Sequence, residues 1–440
     1  MAITAALPQS LWAATAPAAP ALAQLKGPLR ADVAVIGAGY TGLAAALQLA
    51  AAERSVVVLE ARALGERASG LNGGQVIPGL KADPDELERL FGAERGARLV
   101  ASVAAGPDLV FELIERHAIA CDATRTGWIQ PATSQRALAQ LAARAAQWQR
   151  RGAPVEVLAA PAVATLTGSQ RYCGGLLDRR GGTLQPLAYA RGLARAVLRH
   201  GGNIFAHCPA LHLRRAGREW HIDTPGGRIS APAVIVATNA YSGGLIGALR
   251  RSLVTVPSFQ VATVPLTAAQ RAGILPGGQA ASDTWHLLRY FRLDAGGRLV
   301  LGARGTFGAT PGPRSCRHHY RAVREIYPQL ADVGFQYHWG GLVAMTRDHL
   351  PHLHELAPGL LAGLGYNGRG VAMATLMGRL LAQRTLGMSD AELAFPVTPV
   401  QPIPLHRATS FAARATIQYL RAVDSLTRVR DRLWGRTSWT

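Results

Sequence analysis

The chain has 440 residues, more than one hydrophobic core usually organises, so about two intertwined domains and a tail are expected. With 49% hydrophobic and 17% charged residues it falls outside the disordered class, and it has ample apolar material for packed cores. A formal charge of +20 raises nucleic acid as a partner, but only Lys26 and Lys81 among 47 basic residues are lysines and the arginines are scattered, so composition bias is the better account and no nucleic-acid partner is expected.

The first 30 residues are Ala/Pro-rich without the basic start and unbroken apolar run of a signal peptide, which predicts a cytoplasmic protein. Residues 33 to 52 carry no charge, yet their glycines divide them into a strand (VAVIG, 33 to 37), a turn and a helix, not a membrane span. The turn reads Gly37-Ala38-Gly39-Tyr40-Thr41-Gly42, and a second strand, VVVLE, ends in Glu60. Gly37 permits the tight turn, Gly39 lets the backbone approach a pyrophosphate, and Gly42 brings helix and strand together. The helix N-terminus offers N–H groups to phosphates, and Glu60 stands where a carboxylate accepts bonds from an adenosine ribose.

Residues 65 to 79 follow as GERASGLNGGQVIPG, packing Ser69, Gly70, Asn72, Gly73, Gly74 and Gln75 behind the acidic strand. Low side-chain bulk suits an extended cofactor running past the first domain. Residues 91 to 159 hold amphipathic helices around the short strand region TGWIQPA. Residues 255 to 335 read as strands, notably DTWHLLRYFRL and GRLVLGARGTFG, then a helix containing YRAVREIY.

Strand alternation across DTWHLLRYFRL sets His286, Leu288, Tyr290 and Arg292 on one face and Trp285, Leu287, Arg289 and Phe291 on the other. Tyr290 and His286 are therefore candidate pocket residues, and QYHWGG at 336 to 341 adds His338 and Trp339. A third glycine cluster, Gly365-Tyr366-Asn367-Gly368-Arg369-Gly370, joins an apolar strand to a helix and repeats the logic of the first, with Asn367 and Arg369 able to bond ligand. The tail, 405 to 440, combines seven arginines with an apolar stripe of Phe411, Ile417, Leu420, Val423 and Leu426, expected to pack on the first domain. Cys121, Cys173, Cys208 and Cys316 are far apart and the histidines form no coherent ligand set, so no metal is expected.

In combination these motifs resemble the FAD-dependent amine oxidoreductases of the D-amino acid oxidase and glycine/sarcosine oxidase superfamily. The likeness spans nearly the whole chain, from SLWAATA at 10 to 16 through ASGLNGGQ and VIVATNAYS (234 to 242, a second-sheet strand in this reading) to GYNGRGVAMATLMGRLLA. It implies α/β and α+β architecture, with a discontinuous FAD-binding Rossmann-like domain (30–90, 160–254, 336–385), a sheet-containing substrate domain (91–159, 255–335) and a C-terminal helical tail (386–440).

By the same resemblance Gly37, Gly39, Tyr40, Thr41, Gly42, Glu60, Ala61 and Arg62 hold the ADP half, and Ser69, Gly70, Asn72, Gly73, Gly74 and Gln75 meet pyrophosphate and flavin. Ala210 gives a backbone adenine contact. Thr238, Gly365, Tyr366, Asn367, Gly368, Gly370 and Val371 complete the cofactor set. Arg304 falls where sarcosine oxidase has a histidine beside its substrate. Leu71 replaces the arginine usual in the ASGLNGGQ loop. No cysteine lies in 340 to 348, the stretch that tethers flavin in sarcosine oxidase, so FAD is expected to be non-covalent.

The implied activity is oxidation of a C–N bond in an amine or amino acid, a gamma-glutamylated polyamine among the candidates, to an imine. Oxygen is the expected acceptor, giving hydrogen peroxide, although neither lysine lies in the segments expected to form the pocket and an arginine or protonated histidine must supply positive charge. Two alternatives stand beside this: a quinone-linked amino acid dehydrogenase, and a non-catalytic flavin- or tRNA-associated protein of the same fold.

Overall fold

A computed structural model describes residues 9–433; within its last helix the side chains of residues 407, 410, 421 and 425–433 lie outside the described set. The apolar runs Val33–Ile36 and Val56–Leu59 form adjacent parallel strands, paired from Val33 with Val56 to Ile36 with Leu59. All eight residues are buried, as expected of strands covered on both faces. They sit inside a six-stranded sheet in the order His352–Ala357, Leu360–Leu364, Ala233–Val236, Val33–Ile36, Val56–Leu59, Asn203–Phe205. Only the edge pair, His352–Ala357 with Leu360–Leu364, is antiparallel.

Alternation along Val33–Ile36 divides two cores. Val33 and Val35 face helices Tyr40–Ala51, Pro186–Arg199 and Gly370–Thr385. Ala34 and Ile36 face a four-stranded sheet whose Trp220, Ile222 and Ile229 fill the other side. VIVATNAYS does not open a second sheet: Ala233–Val236 pairs parallel with Val33–Ile36 and brings Thr238 beside the first glycine turn.

The second large sheet has eight strands, in the order Phe335–Met345, Val254–Thr263, Leu299–Arg304, Tyr290–Leu293, Ala280–Ser282, Trp128–Pro131, Gly174–Asp178, Val155–Ala159. Phe259, Val261, Phe291 and Leu301 pack from one face onto helix Arg317–Ile326 and Tyr327. Two of these strands, Gly174–Asp178 and Phe335–Met345, come from segments expected in the first domain. Conversely, helices Ala93–Ala104 and Gly106–Arg116, expected with the second, bury Leu99, Val103 and Val110 in the core beside Gly370–Thr385.

DTWHLLRYFRL is not one strand. Only Tyr290–Leu293 is extended; before it, buried Asp283 accepts bonds from Arg289 N (2.8 Å) and Nε (2.6 Å), closing a turn over 283–289. Glu325 adds a second carboxylate at 3.1 Å from Arg289. The hydrophobic run therefore satisfies a buried ion pair rather than a strand ladder.

The tail forms helix His406–Leu433. It docks on the second-sheet side, not on the first domain: buried Asp424 accepts from His286 Nδ1 (2.8 Å) and Leu287 N (3.0 Å), and Arg414 stacks over Phe307. Ile417 is buried, but Phe411 is 72% exposed, and the Leu426 side chain lies outside the described residues. Among the described residues no helix is long and apolar enough to cross a membrane.

Candidate active site

The glycine turns and the second sheet enclose one cavity of about 1050 Å³, at the upper end of the roughly 300–1,000 Å³ usual for small-molecule sites. Its floor is the turn after Val33–Ile36. Gly37 has φ +106°, a conformation costly for any side chain, and helix Tyr40–Ala51 follows with no cap from Gly39, so that Gly39, Tyr40 and Thr41 line the cavity at the helix start. A Cβ on Gly42 would stand 1.9 Å from Gly37 O, which is why the helix can start this close to the strand.

Glu60 ties this end together. Its Oε2 accepts from Ala38 N at 2.9 Å and its Oε1 from Arg62 N at 3.0 Å, leaving acceptor positions for ribose hydroxyls. Burial raises its pKa while both backbone bonds oppose the rise. Ala61, Arg62 and Ala210 line the same end.

The loop from 65 to 75 holds its shape through its own polar groups. Ser69 Oγ accepts from Tyr40 N at 3.0 Å. Asn72 Oδ1 accepts from Gly74 N at 2.8 Å and its Nδ2 donates to the Tyr40 hydroxyl at 3.1 Å. Gln75 donates to Ala281 O (3.0 Å) and accepts from Ser282 Oγ (2.8 Å), pinning the loop to the second sheet. Ser69, Asn72, Gly73 and Gln75 all line the cavity, but Asn72 and Gln75 already spend much of their bonding capacity on the fold. Gly42, Gly70, Gly74 and Gly365 lie behind the wall, where added Cβ atoms would strike neighbouring atoms at 1.9 to 2.3 Å. They serve packing.

The third cluster closes the opposite wall. The Tyr366 hydroxyl lies 2.6 Å from Thr41 Oγ1. Asn367, at φ +50° and buried, accepts from Thr346 N (3.0 Å) and donates to Gly365 O (2.5 Å), so its amide braces the turn rather than acting as a chemical group. Gly368, Gly370 and Val371 present the start of helix Gly370–Thr385 to the cavity.

The second sheet supplies the remaining face through residues two apart. Ser258 and Gln260 point inward; the Tyr290 hydroxyl lies 2.9 Å from Ser258 Oγ, and Arg304 is the register partner of Ser258. Gly302 makes room for Tyr290, since a Cβ there would stand 2.0 Å from its ring. Burial pushes the Tyr290 pKa up to about 12, which keeps it a neutral hydroxyl. Gln260 Nε2 bonds Leu71 O, but its Oε1 is buried without a partner, an acceptor ready for a ligand N–H.

Two candidates lie away from the cavity, His286 from strand alternation and His338 from the approach of QYHWGG to the third glycine cluster. His286 lies outside the cavity, in the 283–289 turn, where it holds the C-terminal helix. His338 pairs with Val261, one position out of phase with Gln260, so it faces helix Arg317–Ile326 and bonds Tyr320. Trp339 is in phase with Gln260 but lies behind the wall, packed edge-on against Trp12, with its indole donating to Leu71 O at 3.2 Å. Arg292 is drawn into the loop, donating to Leu184 O and Gly74 O.

Lys81 was not expected here, yet it lines the cavity with Arg304, Arg369 and Arg144. Its rarity was the signal: in a chain that uses arginine almost everywhere, a lysine follows directly on the glycine loop. Burial, then the Arg304 and Arg369 charges, pull its pKa down to about 8.

A family model for FAD-dependent oxidoreductases, DAO, matches residues 32–384. The chain belongs to the DAO family of FAD-dependent oxidoreductases. This DAO-family chain is 33% identical over 375 residues to gamma-glutamylputrescine oxidoreductase of Escherichia coli (strain K12), covering 85% of this chain and 88% of that one. It is 34% identical over 385 residues to the probable oxidoreductase OrdL of Rhizobium meliloti (strain 1021), covering 86% and 89%. The glycine oxidase structure from Geobacillus kaustophilus shares the fold at TM-score 0.70 and 23% identity, over 85% of this chain and 99% of that one. FAD is thus the family's cofactor, and the bulk-free glycine turn, the two helix starts at the cavity and the half-used Glu60 carboxylate all fit it.

Proposed function

We propose that this enzyme oxidises the C–N bond of an amine or amino acid to an imine, with FAD held non-covalently and oxygen as acceptor. The observation that carries the reading is the continuity of the cavity, which runs from Glu60 and Ala210 past both helix starts to the sheet face bearing Ser258, Gln260 and Tyr290. When bound, FAD supplies the hydride acceptor.

The protein's part is placement. Gly37 to Thr41 and Glu60 would hold the ADP half, and Ser69, Gly73, Tyr366 and Gly368 to Val371 the flavin half, all of them cavity residues. The substrate would lie against the sheet face, where the Tyr290–Ser258 pair and the buried Gln260 would orient it and exclude water. Only a neutral amine can release hydride from its α-carbon, and a desolvated, cation-lined site favours loss of the ammonium proton. The imine is hydrolysed by water to a carbonyl compound and an amine or ammonia.

Lys81, Arg304 and Arg369 favour oxygen as acceptor, since its reduction begins by making an anion. No cysteine lines the cavity among the described residues, in keeping with a non-covalent flavin. We place the enzyme in the cytoplasm, where its four cysteines stand as free thiols.

Purified protein tests this directly: anaerobic addition of amines, amino acids and gamma-glutamylputrescine, then air. Bleaching of the flavin bands followed by prompt reoxidation with peroxide supports the reading. Bleaching that only a quinone reverses makes it a dehydrogenase, and a colourless protein that cannot take up FAD rejects it.

A further inference from the structure

Both reaches of the C-terminal helix meet the cavity. Leu288 lines it two residues before Tyr290 and is 36% exposed, so this side chain stands where the cavity meets solvent. His406, the first residue of helix His406–Leu433, also lines the cavity, and its Nε2 lies 2.8 Å from the carbonyl oxygen of Leu253, another lining residue. From His406 the helix rises about 27 Å to Asp424. There it reaches the turn that carries Leu288.

The base of that turn is fixed from within its own domain, by Asp283 with Arg289 and by Thr284, whose hydroxyl accepts from Thr133 N at 2.9 Å. The tip depends on the helix. Among the described residues, His286 to Leu288 are tethered by one side chain, Asp424, which accepts from His286 Nδ1 at 2.8 Å and from Leu287 N at 3.0 Å. The second bond fixes the peptide that leads directly into Leu288. The Asp424 side chain is buried although His286 is exposed, so little water competes for the carboxylate. The helix lies beyond residue 384, where the family match ends, so this grip is added to the matched domain from outside.

We propose that helix His406–Leu433 frames the substrate entrance, with Asp424 as a positioning residue that holds turn 283–289 so that Leu288 limits the width of the amine admitted. This rests on the reading of the cavity as the place of amine oxidation. With its tip held, the turn keeps Leu288 on the approach to Tyr290 and favours straight-chain amines over ring-bearing ones.

The test uses FAD-loaded enzyme and two uncharged collisional quenchers of flavin fluorescence, compact acrylamide and the bulkier nitroxide 4-hydroxy-TEMPO. In wild type acrylamide is expected to quench and the nitroxide to be largely excluded. L288A, which leaves the helix contact untouched, should admit the nitroxide. D424A should raise nitroxide quenching about tenfold, the scale on which one bond to a charged acceptor shifts a local opening. D424N should behave like wild type, since its amide oxygen still accepts from Leu287 N while its NH2 meets the other tautomer of His286. Hydrogen exchange at the Leu287 amide should quicken in D424A and not in D424N. Equal quenching by both probes in wild type, or nitroxide exclusion that persists in both L288A and D424A, overturns the proposal. So does D424A that admits the nitroxide with Leu287 exchange unchanged, since the opening would then owe nothing to the turn. Where amines bleach the flavin, L288A and D424A should also raise kcat/KM for a ring-bearing amine relative to a straight-chain one. If the quenchers behave as expected but no amine bleaches the flavin, the entrance stands and the proposed oxidation fails.

Discussion

The Thr41 and Tyr366 hydroxyls meet at 2.6 Å across 325 residues of sequence, joining the first glycine turn to the third. Tyr366 also donates to Gly363 O at 3.2 Å, so one phenol fixes the gap between two walls of the cofactor cavity. Y366F removes both bonds from the buried wall. It is expected to cost about 1–3 kcal/mol and to weaken FAD retention, measurable by urea titration and by FAD released on gel filtration. Unchanged values in both would mean that the contact contributes nothing.

Gly42 is expected to be intolerant of even one methyl group. The added Cβ would stand 1.9 Å from the Gly37 carbonyl oxygen, a backbone atom that cannot swing away. G42A should push the helix start off the turn and yield protein with little bound FAD, destabilised by about 1–3 kcal/mol. The ratio of flavin to protein absorbance checks it; a fully loaded G42A enzyme would contradict the cradle geometry.

Tyr290 is expected to matter for turnover more than for folding. Y290F keeps the ring over Gly302 but removes the bond to Ser258. We expect kcat/KM to fall about tenfold, roughly 1.4 kcal/mol, with the FAD spectrum unchanged. G302A, which displaces the ring itself, should fall further. Wild-type kinetics in both variants would remove Tyr290 from the substrate site.

The glycine turns that line the cavity were legible because their logic is local. Gly37 to Gly42, the acidic end of VVVLE and the turn from Gly365 to Gly370 each need only their own strand, turn and helix to take shape, and residue type alone says where a side chain cannot fit. The substrate face was not local. Alternation through DTWHLLRYFRL failed at His286 because a buried Asp283–Arg289 pair turned the chain, and His338 faces away from the cavity because its partner is Val261 and not the inward-facing Gln260, which only the strand pairing decides. Lys81 entered the site because the loop following the glycines is pinned to a sheet formed more than 200 residues later, by bonds such as Gln75 to Ala281 O. Sequence thus determined where a dinucleotide can lie. Tertiary structure decided which charges look at what lies beside it, because facing across a cavity is set by long-range register and not by spacing along the chain.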